Sequence, residues 1–421
     1  MSSTFPPKAR LPSPFWKRWL RLPPLLAALL LGAAGCKRDD TAPYPEWIPA
    51  NHEAVRRGAY AELRQVGIEA EAAVRGIQHR AAPTTKEVHE IDAKLGPLMD
   101  AVQRSCKQPM VDDYAPTISL APDPSRIGWA YLGGCYQRRL HAAVAKRDYA
   151  EAAKVMAEGT RFALFIACGD ASDALVGYPI ADRLRATLAP LLREMDADQL
   201  SKLSKAIAAA LIDAQPRDAV AAHEGMAMMA ALQAVQDAYR DGRIAPLAEQ
   251  FGPSTRDAFD TLEGYKGRAE TKRVAFFNAM AADVTTESNW LLGASRAPAS
   301  KRDPEPNPKP STKQPWHALA RQLVLAGGAM LSAGDLTLAR TRLMAISCDL
   351  YAIGKTAGAA PADLRMFPAE LNRDPYTGRP FYYVPEGMDF KLYSAGVDGI
   401  DNGGDSDDTG TRPDVVLEGG F

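Results

Sequence analysis

Residues 374–417 read DPYTGRPFYYVPEGMDFKLYSAGVDGIDNGGDSDDTGTRPDVVL, and this stretch separates the end of the chain from everything before it. Asp374-Pro375 opens a turn, with Pro375 presetting φ and Gly378 free to take positive φ. Phe381-Tyr382-Tyr383-Val384 is aromatic and β-branched and predicts a strand. Pro385 to Asp389 is a connection of hairpin length containing Gly387, and Phe390-Lys391-Leu392-Tyr393 returns as a second strand. Alternation puts Phe381 and Tyr383 on one face of the first strand, and Phe390 and Leu392 on one face of the second. A lone hairpin is marginal in water, so that face requires a cover. The helix predicted over 335–353 supplies one, because Leu336, Ala339, Leu343, Ile346 and Leu350 recur at helical spacing.

Between Asp398 and Asp408 stand five aspartates, three glycines and no basic residue. Carboxylates this close repel one another unless solvent or a cation neutralises them. Calcium takes six to eight oxygen ligands in flexible geometry, and glycines let backbone carbonyls turn inward. The spacing is not that of an EF-hand. Two readings stand: a solvated acidic surface loop, or a calcium site.

The run DPYTGRPFYY, FKLYSAGVDG and the following GGD resembles the C-terminal part of the major pseudopilin of type II secretion systems. The resemblance covers about residues 335–417. It implies a helix packed on a small sheet and a calcium-binding loop. Carried over by position, the implied ligands are Leu392, Ser394, Asp398 and one or more of Asp401, Asp405, Asp407 and Asp408. The pseudopilin leader and its long apolar N-terminal helix have no counterpart in this sequence, which argues against a filament subunit.

Residues 1–35 read as a targeting segment. Lys8, Arg10, Lys17, Arg18 and Arg21 form a positive front without an acidic residue. Pro23 to Gly35 is apolar, too short to span a bilayer and suited to a signal-peptide core. It ends Leu31-Gly32-Ala33-Ala34-Gly35-Cys36, which resembles the lipobox of bacterial lipoproteins and implies lipidation of Cys36; an ordinary cleaved signal peptide is the alternative. Lys37 after the cysteine leans, by the same resemblance, towards the outer membrane. The expected location is the cell envelope, anchored by lipid and facing the periplasm, with residues 36–50 as a proline-containing tether. Removing the five basic residues of 1–35 takes the formal charge from −1 to −6. A mildly acidic chain without a basic cluster is not a nucleic-acid binder.

Residues 51–296 are Ala-rich with almost no strand signal. Helices are predicted near 52–79, 84–107, 127–144, 148–168, 173–195, 198–213, 217–240, 254–263 and 267–291, with Ser125 and Ser254 as caps. The segment from Lys146 to Ala153 resembles the opening of a tetratricopeptide helix pair, but the period does not repeat, so the body is a helical-hairpin array. The hairpins, the run Asp173 to Ile180, the His223-Glu224-Gly225 helix and the tail together are similar to a group of exported bacterial proteins and lipoproteins without an assigned activity. Residues 297–315 hold six prolines and read as a linker before a unit at 316–421. The expected fold is therefore mainly α, a helical-hairpin array followed by a small α+β, pseudopilin-like module.

Cys106, Cys135, Cys168 and Cys348 allow three disulfide connectivities, with Cys106–Cys135 and Cys168–Cys348 one sensible set; buried free thiols are the alternative. The histidines are His52, His79, His89, His141, His223 and His317. His223-Glu224 begins like HExxH, but Ala227 stands where the second histidine is needed, so zinc lacks a ligand. Gly133-Gly134-Cys135 reads as close helix packing before it reads as a nucleophile. No GxSxG elbow or P-loop occurs. The sequence thus points to a non-catalytic envelope scaffold with a protein partner. The alternatives are an envelope hydrolase with its site in the helical domain, and an accessory component of a secretion or pilus-like assembly. Convergent polar groups around His223 and Glu224 would favour the hydrolase.

Overall fold

A computed structural model describes residues 58–77, 84–110, 114, 116, 123–214, 217–243, 245, 256–264, 270–303, 315–405 and 414–417. Among them are eleven α-helices and one three-stranded sheet, so the chain is mainly α with a small α+β end. The helices are α1 (Ala59–Val74), α2 (Thr85–Ser105), α3 (Pro124–Ala145), α4 (Tyr149–Ile166), α5 (Ala171–Leu188), α6 (Ala197–Asp213), α7 (Arg217–Arg240), α8 (Arg256–Glu263), α9 (Glu270–Arg296), α10 (Pro315–Ala357) and α11 (Ala369–Asn372). The predicted signal peptide, Cys36, the tether, His52 and His79 lie outside the described residues.

Local chemistry starts most of these helices. Thr84 and Glu87 form a reciprocal capping box, as do Asp170 with Asp173 and Asp196 with Gln199. Each pair satisfies two backbone N–H groups that the first helical turn leaves without partners. The expected cap Ser125 is corrected: α3 begins three residues earlier than expected, at Pro124, and Asp123 is the cap. Asp123 accepts both the N–H (2.9 Å) and the hydroxyl (2.7 Å) of Ser125. Proline suits the first helical position because its missing N–H would be unpartnered there anyway. The helix predicted over 173–195 stops at Leu188 and tightens into a 3-10 turn over Ala189–Glu194, where Pro190 stands.

Small residues set the helix spacing. A β-carbon added at Gly128 on α3 would lie 1.8 Å from the carbonyl oxygen of Gly67 on α1. The two backbones therefore touch, and Trp129 beside the crossing donates its indole N–H to the Leu63 carbonyl at 2.7 Å. Gly133 leaves room for the Ile180 side chain of α5, which accounts for the first glycine of the pair before Cys135.

Helix α10 is the spine. It packs along α5, α6, α7, α8 and α9, and also covers β2 and β3. Its stripe Ala339, Leu343, Ile346 and Leu350 is fully buried, in one core with Leu203 and Ile207 of α6 and with Phe381, Phe390, Leu392, Val415 and Leu417 of the tail. The helical array and the C-terminal module thus share a core across the proline-rich stretch. Of that stretch, 304–314 lie outside the described residues. Ala299 and Ser300 donate their N–H groups to the carbonyls of Pro375 (3.2 Å) and Tyr376 (3.0 Å).

In the tail, β1 (Tyr382–Glu386) pairs antiparallel with β2 (Asp389–Ser394) in the register Tyr383↔Leu392. The connection is shorter than expected: Gly387 and Met388 alone separate Glu386 from its partner Asp389. Gly387 takes φ +70 while Met388 does not take positive φ, the pattern of a II′ turn, which matches strand twist. A third strand, β3 (Val415–Val416), pairs with β2 at Tyr393 and Ser394.

Candidate functional site

Among the described residues, the sequence candidates fall at two places: the turn between α4 and α5, and the acidic loop of the tail.

The first is built from helix ends. Where α4 finishes, carbonyl groups lack intrahelical partners; where α5 begins, N–H groups lack them. Two neighbouring residues of α7 meet both needs. The Nδ1 of His223 lies 2.8 Å from the carbonyl oxygen of Cys168 and 3.3 Å from that of Gly169, and a carbonyl only accepts, so Nδ1 carries the proton. Glu224 accepts the N–H of Ala171 at 2.9 Å. Donor at the carbonyl end and acid at the N–H end is also the order that the helix dipoles favour.

Around this clasp sits a charged network. Arg126 of α3 donates to Asp173 through Nε and to Asp170 through Nη2, each at 2.7 Å. Tyr60 of α1 donates to Asp173, and Tyr114 donates to Asp170 at 3.0 Å. Tyr114 also stacks on the ring of His223, with centroids 4.5 Å apart. Asp170, Asp173, His223 and Glu224 are all buried. Burial, and then the nearby Asp170, push the Glu224 carboxyl up to about 8. The same two causes raise Asp173 above the usual carboxylate range, against the pull of Arg126. Burial likewise raises the phenols of Tyr60 and Tyr114. The sequence reading singled out His223 and Glu224 but not Tyr60, Tyr114 or Arg126. Asp173 followed by an apolar run was the one visible signal, and it belongs to the capping box.

The second place is the tail loop. Leu392 is buried on β2, and Ser394 donates to Asp374 at 2.8 Å while accepting the N–H of Gly396 at 3.0 Å. Asp398, Asp401 and Asp405 are exposed. Asp398 accepts the N–H of Ile400 at 3.0 Å; Asp401 accepts the Tyr393 hydroxyl at 2.8 Å and the Gly403 N–H at 2.9 Å. Asp407 and Asp408 lie outside the described residues. Asp414, which the sequence reading passed over, is buried beside β3 and accepts the N–H groups of Asn402 (3.0 Å) and Gly404 (2.9 Å). Its only sequence signal is its place directly before Val415-Val416. The hard oxygen donors suit calcium. Asp401 and Asp414 brace the loop's N–H groups, and no three His, Cys, Asp or Glu side chains among the described residues gather as a metal would need.

Of the two cysteine readings, disulfides or buried thiols, the structure carries the second: Cys106, Cys135, Cys168 and Cys348 are buried and not joined in disulfides. Cys135 donates to Asp92 at 3.2 Å and Cys168 to the Leu164 carbonyl at 3.1 Å, so these two thiols have local partners. Of the other described histidines, His141 meets the Thr187 hydroxyl at an exposed site at 3.2 Å.

No protein-family model, no curated protein and no solved structure matches this chain. Among the described residues no helix is long and apolar enough to cross a membrane.

Proposed function

We propose that the chain is a lipid-anchored cell-envelope scaffold, non-catalytic, whose helical body holds a calcium-stabilised, pseudopilin-like tail against a protein partner. The observation that supports this is the double role of α10, whose buried stripe belongs to the array and to the sheet at once. A tail seated this way is presented by the body rather than tethered to it. Anchoring rests on Cys36 and its lipobox-like surroundings, and calcium on the oxygen-rich loop from Asp398 to Asp408.

A shared core makes the reading testable. A ligand that binds only the folded state stabilises everything that unfolds with it, by roughly 2.7 kcal/mol at about a hundred times its dissociation constant. Calcium is therefore expected to raise the melting midpoint of the helical signal of the full chain by a few degrees over EDTA, and Asp398→Ala to remove the rise. Coincident calcium and EDTA curves would overturn the calcium-stabilised part of the reading.

The second reading, a hydrolase in the helical domain, draws on the convergence of Asp173, His223 and Glu224 with raised carboxyl groups. The scaffold is preferred because these side chains are bonded to helix ends, to Arg126 and to two tyrosines, which is the work of a clasp.

A further inference from the structure

Two turns apart on one face of α10 stand Asp335 and Arg342, which the surrounding structure treats oppositely. Asp335 is saturated: Arg217 donates to its Oδ1, and Arg302 bridges both oxygens, with Nη2 at 2.9 Å from Oδ1. Arg342 is half-buried, and among the described residues no carboxylate lies within ion-pair range of it. Its one hydrogen bond runs from Nη1 to the carbonyl of Arg373 at 2.6 Å, a neutral acceptor. Asp374, a carboxylate whose charge acts on Arg342, is occupied. It accepts the Tyr376 N–H (2.9 Å) and the Ser394 hydroxyl (2.8 Å) on Oδ1, and the Thr377 hydroxyl (2.9 Å) on Oδ2. Arg217 and Arg302 thus use up Asp335, while Arg342 and Arg373 stand beside an Asp374 that is already bonded. The crowding registers on Arg342, whose guanidinium is pushed down to about 10 by burial and then by Arg217, with Arg373 adding to it.

A half-buried cation without a counter-charge carries a desolvation cost, and a guanidinium offers its donors in a planar fork that matches a tetrahedral oxyanion. None of the Arg342 nitrogens is both sealed from solvent and without a partner, so its remaining donors are open to a small solute. Arg373 stands exposed beside it as a second cation. We infer that Arg342 and Arg373, at the seam between α10 and the tail, form a binding site for a phosphate-type oxyanion. The ligand supplies the negative charge that the protein omits there, and it closes the seam where Asp335 and Asp374 are already engaged.

The test is a thermal melt of the full chain, purified in detergent, in millimolar sodium phosphate against sodium chloride of equal ionic strength. Phosphate is expected to raise the midpoint by a few degrees, and Arg342→Gln to remove that rise. Arg373→Gln, at an exposed position that leaves the core untouched, is expected to weaken it and keeps the test open should Arg342→Gln fail to fold. Arg365→Gln, a distant exposed arginine paired with Asp363, is expected to leave it unchanged. Co-sedimentation with phosphatidic acid vesicles, lost in the same two variants, would assign the oxyanion to a lipid headgroup; indifference to vesicles with the phosphate response intact would assign a free solute. The absence of a phosphate-dependent rise in the parent chain, or an equal rise in Arg342→Gln and Arg373→Gln, would overturn the site.

Discussion

Glu224 accepts the N–H of Ala171 at 2.9 Å, so the first turn of α5 is capped by a side chain from α7, 53 residues away. Beside it His223 serves the carbonyls that end α4. Two adjacent residues that begin like a zinc motif are thereby a clasp that fixes α4, α5 and α7 together.

The clasp has a pH signature. A carboxyl whose folded value is raised holds its proton in the native state after the unfolded chain has lost it. Its contribution to stability is thus complete below the ordinary Glu range and is lost as pH rises through the folded value, about 8 for Glu224. Asp173, Asp349, Asp374 and Asp414 are raised too and act in the same direction. The melting midpoint is expected to fall between about pH 5 and 8, and Glu224→Gln to make the fall shallower. A variant profile parallel to the parent's would show that Glu224 does not titrate in this window.

Asp335 tests the seam. Replacing it by Ala leaves Arg217 and Arg302 without their shared carboxylate, and breaking a buried pair in this way costs about 3–5 kcal/mol. Denaturant unfolding is expected to move to lower midpoint by that amount, while Asp198→Ala, whose pairing with Lys202 is exposed, should change stability little.

Gly128→Ala places a methyl group against the Gly67 carbonyl. The backbones cannot both stay in place, and overpacking is expected to cost about 3 kcal/mol, the upper end of its ordinary range. Gly76→Ala, where a β-carbon meets nothing within 4 Å, is the matched control.

Asp398 and Asp414 should behave differently in EDTA. Asp414→Ala strips two loop N–H groups of a buried acceptor and is expected to destabilise by about 1–3 kcal/mol even without calcium. Asp398→Ala removes one exposed bond and should be nearly silent there. Urea midpoints of both variants in EDTA check the order.

The thiols are a final check. Burial pushes Cys106 and Cys135 up to about 12 and Cys348 further. A thiol-reactive dye is therefore expected to label Cys106, Cys135, Cys168 and Cys348 slowly in the native chain and rapidly after denaturation without reductant. Labelling that requires a reductant would show disulfides instead.

The sequence by itself determined what short-range physics controls. Helix positions followed from caps, proline stops and helical spacing, because those signals act within a turn or two. The Phe381–Tyr393 hairpin followed from alternation and Gly387, and the buried stripe of α10 from its periodicity. What escaped it was pairing across the chain. Nothing near His223 or Glu224 announces that they close the turn at residues 168–171, since a buried donor or acceptor is satisfied by whatever packing brings close. Asp414 reads as one more acid until β3 lies beside β2 and buries it against the loop's N–H groups. The same holds for Asp335 and Arg342: on the helix they are opposite charges seven positions apart, and only the tertiary structure surrounds one with two arginines and leaves the other with a carbonyl. Local backbone preference is written in neighbouring residues, whereas desolvation and charge compensation depend on which distant groups the fold brings into reach.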